Sequence, residues 1–395
     1  MVSDRTSVLP VERAASGTVP CTLRDFLGYF LRLGTFGFGG PIALAGYMQR
    51  DLVERRQWIS KQDYVEGLAL AQLAPGPLAA QLAIYLGWVR AGTLGATLVS
   101  IAFVLPSFLM VLALSAVYVR FGGLYWMQGV FYGIGAAVIA IIARSAYKLV
   151  RMTLRTDALL WTLFTLSAVV TAGTETEVVW LFVLSGLVAM VIKTGVPFGG
   201  RTTALSAVPI WLITGIAGPA SAGTLSKIAV YFAEAGAFVF GSGLAIVPFL
   251  YGGVVGQFHW LTERQFLDAV AVAMITPGPV VITVAFIGYL VGGPVGATLA
   301  AIGVFLPCYL FVIIPARYFR RSAQHARVRA FVEGVTAAAT GAIAGAAFVL
   351  GRRAIIDAPT ALIAVCVLLA LVYLRKIPEP VIILCAGAVG LMING

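Results

Sequence analysis

Residues 34–77 recur without a gap as residues 236–279. Gly34-Thr35-Phe36-Gly37-Phe38-Gly39-Gly40 returns as Gly236-Ala237-Phe238-Val239-Phe240-Gly241-Ser242, and Trp58 as Trp260. Ala74-Pro75-Gly76-Pro77 returns as Thr276-Pro277-Gly278-Pro279. After one deleted residue the match resumes, pairing Gly95-Ala96-Thr97-Leu98 with Gly296-Ala297-Thr298-Leu299 and Pro106 with Pro307. Such a chain must fold as two copies of one unit. In both copies Gly and Pro interrupt apolar segments at matched positions. That is the sequence mark of the broken helices that build a secondary transporter's binding site.

Lipid is the solvent for most of this chain. Apolar residues fill 60% of 395 positions and charged residues 11%, against about 45–50% and 25% in soluble proteins. Mean hydropathy is +0.98. The stretches 94–119, 124–143, 178–192 and 331–350 approach or reach the roughly 20 residues that a spanning helix needs. The expected fold is all-α, a polytopic helical membrane protein with two inverted-topology repeats and broken, re-entrant helices. The alternating strands of a membrane barrel are not visible. The first 22 residues lack a cleavable signal pattern, so the first helix is expected to direct its own insertion. The net charge of +11 belongs to loops that orient the chain, not to nucleic-acid binding. Cys21, Cys308, Cys366 and Cys385 are scattered without a CxxC, and His259 and His325 are the only histidines. No metal, cofactor or disulfide framework is expected, and the cysteines read as small buried apolar residues.

Basic residues cluster at Arg144, Lys148, Arg151 and Arg155; at Arg317, Arg320, Arg321, Arg327 and Arg329; at Lys193 with Arg201; and at Arg375 with Lys376. The positive-inside rule places all four groups in the cytoplasm. Matched loops carry opposite bias: 118–123 holds one Arg whereas 315–330 is the most basic loop. Equivalent loops on opposite sides mean an inverted repeat. The division is then a polar cytoplasmic tail at 1–22, a first repeat at 23–202, a linking span within 203–223 (about 204–218) and a second, inverted repeat at 224–395. The C-terminus falls outside, as do Arg352 and Arg353 against the rule.

Two segments per repeat are broken. Residues 23–49 are interrupted by Gly37, Phe38, Gly39, Gly40 and Pro41. Pro41 suits the first turn of a new helix, the glycines before it are free of side-chain restriction, and the resulting helix N-terminus suits an anion. Gly241, Ser242 and Gly243 occupy the matched place. Residues 63–89 are interrupted by Pro75, Gly76 and Pro77, matched in 265–291 by Pro277, Gly278 and Pro279. Such prolines break a helix, and at membrane depth a break is tolerated only in protein or against a wet cavity. Both segments are expected to be re-entrant hairpins meeting near the midplane, although Gly-rich breaks also serve plain helix packing. Ser60 and Thr262 open expected capping boxes, and Trp58 and Trp260 read as interfacial anchors.

Ionisable residues at membrane depth are functional candidates. Arg32 either gives fixed positive charge to an anion or snorkels from a helix end. Its counterpart Glu234 carries a proton, pairs with Arg32, or faces an external vestibule. Glu66 and Asp268 are matched acids that serve proton coupling or simply the helix dipole. Gln72, Gln81 and Thr283 lie near the Pro-Gly-Pro turns and could hydrogen-bond an oxoanion or only their neighbours. No HExxH, GxSxG, Walker motif or paired-carboxylate cluster suggests an enzyme.

At three strings of the first half, Phe36-Gly37-Phe38-Gly39-Gly40-Pro41, Gly67-Leu68-Ala69-Leu70-Ala71-Gln72-Leu73-Ala74-Pro75-Gly76-Pro77 and Gly87-Trp88-Val89-Arg90-Ala91-Gly92, the sequence resembles the chromate ion transporter family in its long, two-domain form. Matching strings run from Gly236 to Pro248 and from Thr276 to Thr283, and the likeness extends from about residue 23 to 390. The resemblance implies a bacterial inner-membrane carrier that moves chromate outward and confers resistance. Sulfate, alike in shape and charge, is a second expected substrate, and a homodimer stays open. A sulfate or other oxoanion carrier and an anion channel are the alternatives. The implied mechanism is alternating access, one half rocking or sliding against the other around a central site. Replacing Gly40 or Gly241 with Val is expected to abolish chromate flux without preventing insertion, read as flux against membrane-fraction yield.

Overall fold

A computed structural model of the chain describes residues 18–38, 40–121, 125–154, 156–174, 179–194, 222–238, 246–316, 326–355, 357–374, 377 and 379–394. Gly39, Gly241, Ser242, Gly243, the expected link at 204–218, and Arg155, Arg201, Arg317, Arg320, Arg321, Arg375 and Lys376 lie outside the described residues. The described residues are helical with no strand, as the apolar pattern predicts. The first repeat holds α1 (Leu23–Phe36), α2 (Gly40–Met48), α3 (Lys61–Leu73), α4 (Leu78–Phe121), α5 (Tyr125–Thr153), α6 (Ala158–Thr174) and α7 (Val179–Thr194). The second holds α8 (Ala222–Phe238), α9 (Ile246–Tyr251), α10 (Glu263–Ile275), α11 (Thr283–Ala316), α12 (Ala326–Ala354), α13 (Ala358–Tyr373) and α14 (Glu379–Asn394).

The duplication extends to irregular backbone. α2 and α9 both run into π turns, Gln49–Arg55 and Gly252–Gln257, followed by left-handed residues at Gln57 (φ 53°) and His259 (φ 50°). The first repeat's Gly-rich break is present at Gly37 and Phe38, and both Pro-Gly-Pro turns are present where α3 and α10 end; the second repeat's Gly-rich break lies outside the described residues. Ser60 and Thr262 are N-caps, but only Thr262 forms the reciprocal box with Gln265. A further break was not anticipated. α4 bends sharply at Ala91 and Gly92 (φ +61°), and α11 at Gly292 and Gly293 (φ +63°). The positive φ explains why glycine stands at the second position of each bend.

The bends turn each repeat into two shallow hairpins followed by one long crossing. α3 has 13 residues, about 20 Å at the helical rise, too short for a hydrocarbon core of about 30 Å. The chain therefore turns back. The Val19 N–H donates to the Gln57 carbonyl (2.8 Å), and Arg90 reaches the Cys21 carbonyl. Residues 19–21, 57 and 90 thus share one end, from which residues 93–121 cross to the other. There Arg264, at the start of the second repeat's α10, donates to the Gln128 carbonyl (3.3 Å), and Tyr118 reaches Asp268 (2.7 Å). The two repeats therefore begin from opposite ends of the molecule.

Beyond these hairpins the repeats exchange partners. α5 packs on α13 and α14 of the second repeat, while its counterpart α12 packs on α6 and α7 of the first. Glycine permits the closeness: a Cβ on Gly133 would lie 1.9 Å from the Ala386 carbonyl oxygen, and one on Gly341 2.2 Å from that of Phe164. Ion pairs tie the bundles at their ends. Lys193 holds Asp157 (2.5 Å) and Glu333 (2.8 Å), and Arg144 pairs with Glu379 (3.7 Å). Hydrogen bonding from Lys193 holds the Asp157 carboxyl below its usual range.

Burial separates two environments. Residues 78–87 and 281–288 are buried on every side, so the broken backbone lies in protein as required. The outer legs expose Leu94, Ile101, Leu105 and Leu109, a lipid-facing surface. The expectation of buried cysteines holds for Cys308 alone. Cys21 is half-buried and Cys366 and Cys385 are exposed, because their helices α13 and α14 turn one face outward. All four thiols are free.

We expect Gly133→Val to cost about 1–3 kcal/mol through overpacking against a backbone oxygen. Gly135→Ala, where nothing stands within 4 Å, should be neutral or stabilising. Thermal unfolding in detergent, followed by size-exclusion recovery, separates the two outcomes.

Candidate functional site

The broken helices meet their counterparts across the repeats. The Gly278 N–H, in the second repeat's Pro-Gly-Pro turn, donates to the Gly37 carbonyl at the first repeat's Gly-rich break (2.9 Å). Gly278 (φ +100°) rests on Ser107 of α4, whose hydroxyl donates to the Gly34 carbonyl (3.2 Å). The reciprocal contact is present. Gly76 (φ +137°) rests on Cys308 of α11, whose thiol lies 3.6 Å from the Gly236 carbonyl oxygen. Ser107 and Cys308 occupy the same place in the two copies, one residue after Pro106 and Pro307.

Gly37 itself has an unexceptional φ of −79°, so the expected conformational freedom is not what its lack of a side chain provides. It provides room: a Cβ there would lie 2.2 Å from the Leu33 carbonyl oxygen and 2.6 Å from Leu44. Gly40 and Pro41 open α2, as the proline predicts.

A cavity of about 910 Å³ has Gly37 and Phe38 in its lining. Five arginines line it, Arg32, Arg50, Arg55, Arg56 and Arg144, against two carboxylates, Asp51 and Glu379. Asp51 is shared by Arg50 (3.2 Å) and Arg55 (3.6 Å). Arg56 lies over the rings of Trp58 (4.5 Å) and Tyr29 (5.6 Å). Arg32 is exposed and has no ion pair among the described residues. Far larger than one tetrahedral oxoanion, the cavity is a vestibule whose excess positive charge concentrates anions.

The second repeat carries none of these arginines at the matched positions. The matched positions are Glu234, Gly252, Gln257, Phe258 and Gly345. The scaffold is symmetric and its electrostatics are not. Arg32 was legible as a candidate, but Arg50, Arg55, Arg56 and Arg144 were missed. Their signal lies where the two copies differ, whereas motif reading attends to where they agree.

The other candidates are distributed unevenly. Gln81 is fully buried, and its amide nitrogen donates to the Pro75 carbonyl, which fixes the first turn. Thr283, its counterpart, donates to the Val280 carbonyl (2.8 Å) and fixes the second. Both donate to their own backbone in this arrangement, and the Gln81 Oε1 is buried with no hydrogen-bond partner among the described residues. Gln72 is exposed. Glu66 bonds Gln62 (3.0 Å) and Tyr85 (3.3 Å). Asp268 is 5% exposed and accepts from Tyr118 of the other repeat, a partner no local motif announces. Glu234 is exposed, and among the described residues no ion pair joins it to Arg32. Trp58 and Trp260 are half-buried in aromatic clusters with Phe26 and Phe232.

A sequence profile described as Chromate transporter matches residues 24–190 and 226–391, one match per repeat. The chain is 58% identical over 389 residues to the Chromate transport protein of Cupriavidus metallidurans, covering 97% of both. It is 54% identical over 395 residues to the Probable chromate transport protein of Synechococcus elongatus, covering 99% of both. The Chromate transport protein of Pseudomonas aeruginosa is 30% identical over 392 residues, 95% of this chain and 93% of that one. No solved structure matches.

Gly278→Ala should destabilise the protein by about 1–3 kcal/mol, since a Cβ would lie 2.0 Å from the Ser107 hydroxyl oxygen at an unfavourable φ. Adding Ser107→Gly should recover the steric part and leave the backbone part. A double-mutant cycle on thermal stability measures that coupling.

Proposed function

The chain belongs to the chromate transporter family, and on that premise we propose that it carries chromate outward across a bacterial inner membrane by alternating access. The observation that carries this reading is the arginine-lined vestibule whose lining includes Gly37, where the first repeat's break accepts the Gly278 N–H of the second. The vestibule collects a dianion, and the broken backbone at Gly37 is irregular chain of the kind that can line a path at membrane depth.

The basic end faces the cytoplasm by the positive-inside rule, which puts the N-terminus inside. An inside-negative potential then drives the anion outward with about 2.3 kcal/mol per charge per 100 mV, so uniport suffices. Proton antiport would use Asp268, buried against Tyr118 at the repeat boundary, with Glu66 and Glu234 as the weaker alternatives. The substrate path comprises Arg32, Gly37, Gly39, Gly40, Pro41 and the Pro75–Pro77 and Pro277–Pro279 turns, with Gln81 and Thr283 behind them. Gly241, Ser242 and Gly243, at the matched sequence positions of the second repeat, complete the proposed set. The partner exchange of α5 and α12 favours motion of the two three-helix bundles against the α1–α4 and α8–α11 core, rather than of one chain half against the other. Sulfate shares chromate's charge and shape and competes for the same path.

Chromate accumulation in energised bacteria tests the reading. Cells expressing the protein should hold less chromate than controls, the difference should vanish when the potential is collapsed, and excess sulfate should reduce it. Arg32→Gln should cut efflux about tenfold, the scale of one lost charged hydrogen bond. Unchanged or raised accumulation would refute outward transport, and linear, non-saturating flux would replace the carrier with a channel.

A further inference from the structure

Tyr29 lines the basic vestibule, is only 7% exposed, and its hydroxyl is buried with no hydrogen-bond partner among the described residues. Buried polar groups nearly always find a partner, so a lone phenol in an arginine-lined cavity needs a cause. The second repeat shows what the same scaffold does when the position is only structural. Tyr231, the counterpart, donates to the Phe249 carbonyl (2.8 Å) and stacks on the Phe249 ring (5.3 Å, 17°). Next to it Phe258 stacks on Trp260 (4.5 Å, 14°), completing an aromatic plug.

In the first repeat Tyr47 stands where Phe249 does and Arg56 where Phe258 does. The Arg56 guanidinium takes the place of the stacked ring, 4.5 Å from the Trp58 ring. Aromatic faces hold a guanidinium through its π surface, so its N–H fork is not consumed. Arg56 has no ion pair among the described residues, and the nearby carboxylate, Asp51, is taken by Arg50 and Arg55. The plug has become a phenol and an unspent guanidinium, side by side (5.6 Å from Arg56 Cζ to the Tyr29 ring centre).

We propose that Tyr29 and Arg56 form the first binding subsite for a tetrahedral oxoanion of the XO₄ class. The guanidinium gives two parallel N–H donors to two oxygens, and the Tyr29 hydroxyl donates to a third. A halide offers no set of separated oxygens to span these donors, so the subsite selects oxoanions over chloride. It rests on the reading of the protein as an anion carrier and gives the vestibule, whose arginines the second repeat lacks at the matched positions, a specific occupant. Free oxoanion and the phosphate of an anionic lipid share this chemistry; the free ion is the occupant we assign, since the phenol is buried beneath the cavity and not on the lipid face.

The test uses the full-length protein in nanodiscs of zwitterionic lipid, titrated calorimetrically with chromate and with sulfate at constant ionic strength, with chloride as control. Tyr29→Phe removes only the hydroxyl. Arg56→Phe installs the ring that the second repeat already accommodates at Phe258, so misfolding is not its expected result. Each should weaken chromate and sulfate binding about tenfold, leave the melting temperature of the anion-free protein unchanged, and raise KM for flux more than it lowers the maximal rate. Unchanged affinity in both variants would overturn the subsite and leave the transport reading standing. Wild-type binding of sulfate but not chromate, weakened in both variants, would uphold the subsite and remove chromate as substrate. Loss of chromate binding on adding phosphatidylglycerol would assign the pocket to lipid and overturn the proposal.

Discussion

The rest of the structure depends on the reciprocal seating of each repeat's Pro-Gly-Pro turn on the other repeat's long helix. Gly278 rests on Ser107 and Gly76 on Cys308, and the Gly278 N–H binds the Gly37 carbonyl. Backbone broken by proline has polar groups that lipid cannot satisfy. Each turn is therefore seated on protein of the other repeat, and together they fix where the adjoining legs go. The short legs at 78–87 and 281–288 are enclosed because they follow the turns inward. The bends at Gly92 and Gly293 then redirect the chain outward so that one long leg per repeat can cross and meet lipid.

Around this centre, partner exchange makes the two halves of the chain one body. α5 and α12 leave their own repeats, and ion pairs such as Arg144 with Glu379 and Lys193 with Glu333 close the exchanged bundles. An exposed ion pair contributes little by itself; the small-residue contacts at Gly133 and Gly341 carry more of the association, since dispersion rather than water exclusion drives helix packing in lipid. Symmetry of the scaffold coexists with asymmetry of charge. Arginines at 50, 55 and 56 become Gly, Gln and Phe in the second copy, although both copies keep the π turn there.

Much was legible beforehand. Both breaks, the caps at Ser60 and Thr262, and the helical class follow from residue type and local spacing, because each reflects the chain within a few residues of itself. The bends at Ala91–Gly92 and Gly292–Gly293 were not, since a glycine inside an apolar run fits a straight helix as well as a bent one. Residue type leaves Gln81 and Thr283 open to an oxoanion or to their neighbours, and their donors reach the Pro75 and Val280 carbonyls. A side chain's spare hydrogen-bonding capacity depends on which carbonyl it can reach, and composition does not say.

The amino-acid sequence by itself determined the lipid environment, the duplication and the places where helices must stop. Hydrophobicity, repetition and the missing N–H of proline act locally and need no partner to be known. Only the tertiary structure decided that Tyr118 meets Asp268, that α5 belongs with α13 and α14, and that Tyr29 shares a cavity with five arginines. These are contacts between residues far apart in the chain. They are set by how closely packed helices exclude one another's volume, and no spacing along the sequence encodes them.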